Sequence, residues 1–508
     1  MAIDSKRIAK NTLFLYARLI LVFAVTLYTS RVILDKLGVD DYGLYNVVIS
    51  VIGLLSFLNG TLSSGTSRFI TFELGKKNEE KLKETFRTAL FTHVILAGIV
   101  VLLGETVGLW YFYDVMICPP GRLEAAFIVY QLSIFVAALS ILQVPYTAEI
   151  MAHERMNVYA YIGIYEAVTK LLICYILVIA PFDKFIAYGI LMTIIPITVF
   201  LFYAIYSAKS FAEVGFKPSY NKSIFRAILK FSGWNIIANI SNMLMRQGVI
   251  MLLNAFFAPV VVAAQAITSQ VSNALMQFVE NVRQAINPQV IKLYADKKYE
   301  ESKKLTFISA EYVFDLLLLM GVPLILIMPN LLNLWLVEVP QYTIEFIRLI
   351  LIQDILGNFS AAFYTPMVAA NKIQKNSIAA AFLCIAQFGM LYILFKIGLS
   401  PIWTRYIGII FCCIWSFMVK PYILWKDIDY KWGEMSVCVL RCARNAIIVS
   451  SLSYVVYLLV PQVNFGYSII VASTSAMIVI GVTYVFMPKR LKSKVLCQIA
   501  QHVPMLKK

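Results

Sequence analysis

Apolar runs of about 20 residues recur along the whole chain, separated by short polar segments. A helix of that length rises roughly 30 Å and crosses the hydrocarbon layer of a bilayer. An open chain in lipid can satisfy its backbone only as a helix. The pattern predicts about fourteen transmembrane helices, at 12–34, 43–66, 87–110, 124–148, 157–180, 184–207, 231–256, 262–283, 305–328, 344–366, 376–398, 402–424, 437–460 and 466–487. The expected fold is therefore all-α and polytopic, with antiparallel neighbours joined by short turns. The first apolar stretch, after Lys6, Arg7 and Lys10, is too long for a signal-peptide core and reads as a span.

Lysine and arginine fill alternate connections. One set holds Lys76, Lys77, Lys81 and Lys83, then Lys209, Lys217 and Lys222, then Lys297, Lys298, Lys303 and Lys304, and finally Lys489, Arg490, Lys492 and Lys494. The opposite set offers little beyond Lys36, Arg122, Lys184 and Lys396. The positive-inside bias places both termini in the cytoplasm, which requires an even number of spans.

An internal repeat is present. GKKNEEKLKETF at 75–86 matches DKKYEESKKLTF at 296–307, an offset of 221 that also carries Pro145 onto Pro366. It predicts an N-lobe of six helices (1–210), a cytoplasmic linker (211–230), a C-lobe of six helices (231–430) and two further helices with a cytoplasmic tail (431–508). Both copies start from the same side, so the lobes form parallel repeats about an axis along the membrane normal, a known transporter plan.

Composition agrees: 60% of the 508 residues are hydrophobic and 14% charged, against about 25% charged in soluble domains. The net charge of +16 sits in the connections, which argues against nucleic acid as a partner. The eight cysteines match no zinc or disulfide framework. No metal motif, nucleophile elbow or phosphate loop appears, and no cofactor is implied.

Polar groups inside a membrane cost about 2.5–3.5 kcal/mol for a centred Arg, Lys or Asp on insertion scales, so they mark candidate function. Asn235, Asn239, Asn242 and Arg246 share one face of the seventh span. Gln270, Asn273, Gln277 and Glu280 share one face of the eighth. Interhelical glue is one role for such amides; two adjacent stripes point instead to a hydrated cavity. Arg18 lies two turns into the first span, while Arg31, Arg68 and Arg283 lie nearer the rims. Glu166 and Lys170, one turn apart, form either an internal ion pair or a gate facing the cavity. Asp315 and Asp354 are candidates for a coupling cation or for arginine partners. Pro145, Pro196, Pro259, Pro288, Pro323 and Pro366 lie in or at the ends of spans, where they kink helices. A cavity lined by Arg18, Lys170 and Arg246 suits an anionic cargo such as a diphosphate, which arginine grips in a planar fork.

Four stretches carry a resemblance. RVILDKLGVDDYGLYNVV (31–48) with SRFITFELGKKN (67–78) resembles the opening hairpin of the bacterial polysaccharide (O-antigen type) flippases. FSGWNIIANISNMLMRQGVIMLLNAFFAPVVVAAQAITSQVSNAL (231–275) with AINPQVIKLYA (285–295) is similar to the start of their second lobe. That family shares a superfamily with the multidrug and toxin extrusion transporters and the lipid II flippases. The resemblance implies two six-helix lobes around a cavity open alternately to either side of the bacterial inner membrane. It implies an undecaprenyl-diphosphate-linked oligosaccharide as cargo, H+ or Na+ as a coupling ion, and a glycan polymerase and glycosyltransferases as neighbours. A small-molecule exporter of the same superfamily is the alternative; such exporters tend to use acids within the first lobe for cation coupling, whereas here the first span has no mid-helix acid and Asp35, Asp40 and Asp41 lie at its outer end. A membrane-embedded glycan-assembly enzyme is disfavoured by short outer segments, around 111–123 and 329–343, with few acids.

Overall fold

A computed structural model describes residues 22–55, 57–76, 78–153, 155–215, 218–226, 239–461 and 465–487. The described chain is nearly all helix and contains no strand. The helices are α1 (Val22–Leu37), α2 (Val39–Leu55), α3 (Phe57–Gly75), α4 (Glu79–Val115), α5 (Leu123–Ala152), α6 (Met156–Ile179), α7 (Lys184–Ser210) and α8 (Val249–Phe256). There follow α9 (Pro259–Ala295), α10 (Tyr299–Trp335), α11 (Thr343–Ala369), α12 (Gln374–Lys396), α13 (Trp403–Ile428), α14 (Trp432–Leu459) and α15 (Phe465–Phe486). Among the described residues, ten helices are long and apolar enough to cross a membrane, and α1 with α2, meeting at a 114° bend, makes an eleventh when the pair counts as one span. The chain is a multi-pass membrane protein. The expected eighth span falls in α9, whose amides and charges dilute its apolar content.

Several helices overrun the spans read from hydropathy, because polar residues extend them beyond the apolar run. The charged repeat at 75–86, read as a connection, begins α4: Asn78 caps it by accepting from the Lys81 amide (3.1 Å), and Glu79 and Glu80 lie in the first turn. Both placements complement the unpaired amides and positive dipole end of a helix N-terminus. Its second copy likewise begins α10, with Glu300 and Glu301 in the first turn. Prolines 145, 196, 288 and 323 lie inside helices. α11 breaks at Phe363, just before Pro366, whose ring crowds the preceding turn.

Contacts divide the chain into two compact units: residues 1–267, 335–343 and 380–403, and residues 268–334, 344–379 and 404–508. In the first, α5 packs on α2, α3, α4 and α7. Gly43 lets α2 meet the backbone of Pro259, where a Cβ would collide with the proline carbonyl. Small residues serve such close helix contacts in membranes. Asn254 ties α8 to the end of α4, accepting from the Ile117 amide and donating to its carbonyl (both 3.1 Å). In the second, α14 packs along α15.

A polar clamp closes one end of the first unit. Arg122, between α4 and α5, bonds both Asp41 and Asp183. Asp183 also caps α7, accepting from the Phe185 and Ile186 amides (2.9 and 3.2 Å). Burial alone would raise the Asp183 carboxyl, but its bonds to Arg122 and to the two amides outweigh this and hold it below the usual range. A carboxyl depressed in the folded state adds stability above its unfolded pKa and loses it as pH falls through the folded value. Asp183→Asn keeps the cap and removes the charge. The stability gap between wild type and Asp183→Asn, read by thermal unfolding, should therefore be full at pH 6 and close as pH drops below about 4. A gap that stays constant to pH 3 would count against the clamp.

Candidate functional site

Arg18 and Asn235 lie outside the described residues. Asn239, Asn242 and Arg246 follow one another at steps of three and four; Asn242 and Arg246 are exposed and Asn239 half-buried. Arg246 sits in a wide turn with i to i+5 bonding, Leu244–Gly248, immediately before α8. Such turns hold one residue more than an α-turn and are frequent at functional sites. Two more interrupt α4, at Gly104–Gly108 and Tyr111–Val115, and one interrupts α13, at Ile414–Val419.

In the first unit, Glu166 and Lys170 line a cavity of about 430 Å³ together with Tyr45, Ser133, Gln143 and Thr193. Glu166 and Lys170 are not ion-paired with each other, although one helical turn would permit it: both side chains border the cavity. Arg31 and Arg68 are exposed.

In the second unit, the α9 stripe continues. Asn273, Gln277 and Glu280 are exposed along one face, and Gln270 is half-buried. At the end of the row stands Arg283, which is buried, with 6% of its surface exposed. Its Nη1 donates to Glu280 Oε1 (2.6 Å), while Nε and Nη2 have no hydrogen-bond partner among the described residues. Those two nitrogens form the side-on edge of the guanidinium fork, the edge that takes a carboxylate or phosphate in bidentate fashion. A buried donor left unmet costs about 1–3 kcal/mol, so this edge is a feature that a ligand would complete.

The two aspartates occupy different surroundings. Asp354 accepts from Ser272 Oγ (2.6 Å) and feels the charge of buried Arg405, whose guanidinium lies over the Phe346 ring at 5.2 Å. Asp315 accepts from Asn445 Nδ2 at 3.1 and 3.3 Å, and Asn445 in turn accepts from Arg444. These residues border a cavity of about 210 Å³ on α10, α14 and α15. Asp315 is thus engaged by the C-terminal helices. Lys420, buried on α13, donates to Asn376 Oδ1 (2.6 Å) and sits 5.3 Å from the Trp415 and Tyr364 rings. Sequence reading overlooked Arg405, Lys420 and Asn445; a lone charge or amide within an apolar run was the available signal.

Solved structures share this arrangement of helices. An inward-closed lipid II flippase MurJ aligns over 92% of this chain and 99% of its own, at 14% identity and a TM-score of 0.67. The fold is that of the MOP superfamily transporters. An inward-facing multidrug-resistance MATE transporter of that superfamily aligns over 82% of this chain and 95% of its own, at 15% identity and a TM-score of 0.64. A MOP superfamily transporter from Pyrococcus furiosus, described as having a binding pocket of reversed polarity that suggests a different function, covers 80% and 94% at 14% identity and a TM-score of 0.55. At these identities the likeness is one of fold. No protein-family model matches the chain, and no curated protein sequence does.

Proposed function

We propose that the chain is a flippase that moves an undecaprenyl-diphosphate-linked oligosaccharide across the bacterial inner membrane. The observation that carries this reading is Arg283: a buried guanidinium with its bidentate edge unmet suits a diphosphate. The exposed amides of Asn273 and Gln277 on the same helix offer donors and acceptors to sugar hydroxyls. Arg246 and Lys170 add cationic positions in the other unit, and Arg18 belongs to the same set in sequence. The lobes 1–210 and 231–430 read from the repeat are the moving parts of an alternating-access cycle in this proposal. A coupling cation, H+ or Na+, belongs at Asp354. The fold likeness to transporters, one of them a lipid II flippase, supports transport over an enzymatic role.

The test is translocation in proteoliposomes. Purified protein is reconstituted with a fluorescent undecaprenyl-diphosphate oligosaccharide on one leaflet, and its arrival on the other is read with a membrane-impermeant quencher. Protein-dependent transfer is expected. Transfer of lipophilic cationic dyes with no movement of the glycolipid would replace this reading by the drug-exporter one.

A further inference from the structure

Away from the polar row, at one end of the first unit, three potential metal ligands converge. Glu149 and His153 lie one turn apart at the end of α5, so both project from the same face. Glu213 comes from the segment just after α7. One ligand atom from each lies within 4.8 Å of the others. His153 Nε2 bonds Glu213 at 2.6 Å, and the imidazole stacks flat on Phe211 with centroids 4.1 Å apart. Phe211 stands two residues before Glu213, so a single segment holds the ring and the second carboxylate.

Glu149 is the anomaly. It has no exposed surface, and neither carboxylate oxygen has a hydrogen-bond partner among the described residues. A buried carboxylate costs several kcal/mol unless it is paired or coordinates a metal. His153 is already committed to Glu213. Bound as carboxylates beside an uncharged imidazole, Glu149 and Glu213 would supply two negative charges, which one divalent cation neutralises.

We infer that Glu149, His153 and Glu213 form a binding site for a divalent transition-metal cation. The donor set fixes the class. An imidazole with two carboxylates suits Zn2+, Mn2+ or Fe2+, whereas Ca2+ and Mg2+ prefer oxygen alone. Zinc–ligand distances are about 2.0–2.2 Å, and small rotamer changes bring three atoms within 4.8 Å of one another into such a shell. The side chain of His153, 25% exposed, leaves an entry path. Binding through Nε2 uses the neutral tautomer of His153, with its proton on Nδ1. An occupied site ties the end of α5 to the segment after α7. None of this depends on the nature of the transported cargo.

The experiment uses the full chain in nanodiscs, stripped with chelator and titrated with Zn2+ or Mn2+ alone. One ion per chain is expected, with a rise in thermal midpoint. Glu149→Gln and His153→Gln, tested separately, should each weaken binding at least about tenfold, the loss seen even when only an outer partner of a ligand is removed. X-ray absorption on zinc-loaded wild type, which needs no variant to fold, should show one nitrogen-type and two carboxylate ligands. Sulfur ligands in that shell, no binding by wild type, or binding unchanged by both substitutions would overturn the inference.

Discussion

Arg283→Ala is expected to slow glycolipid translocation about a hundredfold while leaving the protein folded in the membrane. The free Nε/Nη2 edge can make two charge-assisted hydrogen bonds to a diphosphate, and at about 1.5 kcal/mol each these amount to about 3 kcal/mol. Within the protein the substitution removes little besides the bond to Glu280, which is half exposed, so water solvates that carboxylate in its place. Removing a buried group with an unmet edge should also leave the thermal midpoint unchanged or slightly raised. That combination, a slower rate with stability kept, separates a cargo-binding role from a structural one. Arg283→Lys keeps the charge without the fork, so it should recover only part of the rate. Initial rates in the proteoliposome assay decide the matter: wild-type rates for Arg283→Ala would remove this residue from the cargo path.

A different deficit is expected for Asp354→Asn. Asparagine still accepts from Ser272, so local packing is kept, but it cannot carry the negative charge that faces Arg405. If Asp354 holds the coupling cation, the variant should bind glycolipid normally yet lose roughly tenfold or more of its response to an imposed H+ or Na+ gradient, the factor that accompanies about 1.4 kcal/mol of coupling free energy. Equilibrium binding and gradient-driven rates, measured on the same preparation, check this. Equal acceleration of wild type and variant by the gradient would place coupling elsewhere.

Much of the fold was legible because the membrane imposes a length rule: the apolar runs at 124–148 and 184–207 map onto α5 and α7. The rule reads only the apolar part of a helix, so it missed the polar first turns of α4 and α10, which capping and helix-dipole chemistry build. The α9 stripe was legible for a related reason, since Asn273, Gln277 and Glu280 obey the helical period. The state of Arg283 was not. Its depth depends on packing, and nothing in the local sequence states how deep a helix face lies. The long-range pairs were equally hidden: Lys420 with Asn376 and Asp315 with Asn445 join residues 44 and 130 positions apart. A spacing of four allowed Glu166 and Lys170 to pair, but a shared cavity wall gives both side chains another direction to take.

The wide turn at Leu244–Gly248 has a mechanical corollary. It stores one surplus residue, and a surplus residue can creep along a helix like a wrinkle along a carpet. Wherever it passes, the stretch it leaves behind turns by about 100°, one residue's worth of helical rotation. Arg246 lies inside that wrinkle, so its guanidinium can swing to a new bearing while α8 stays where it is.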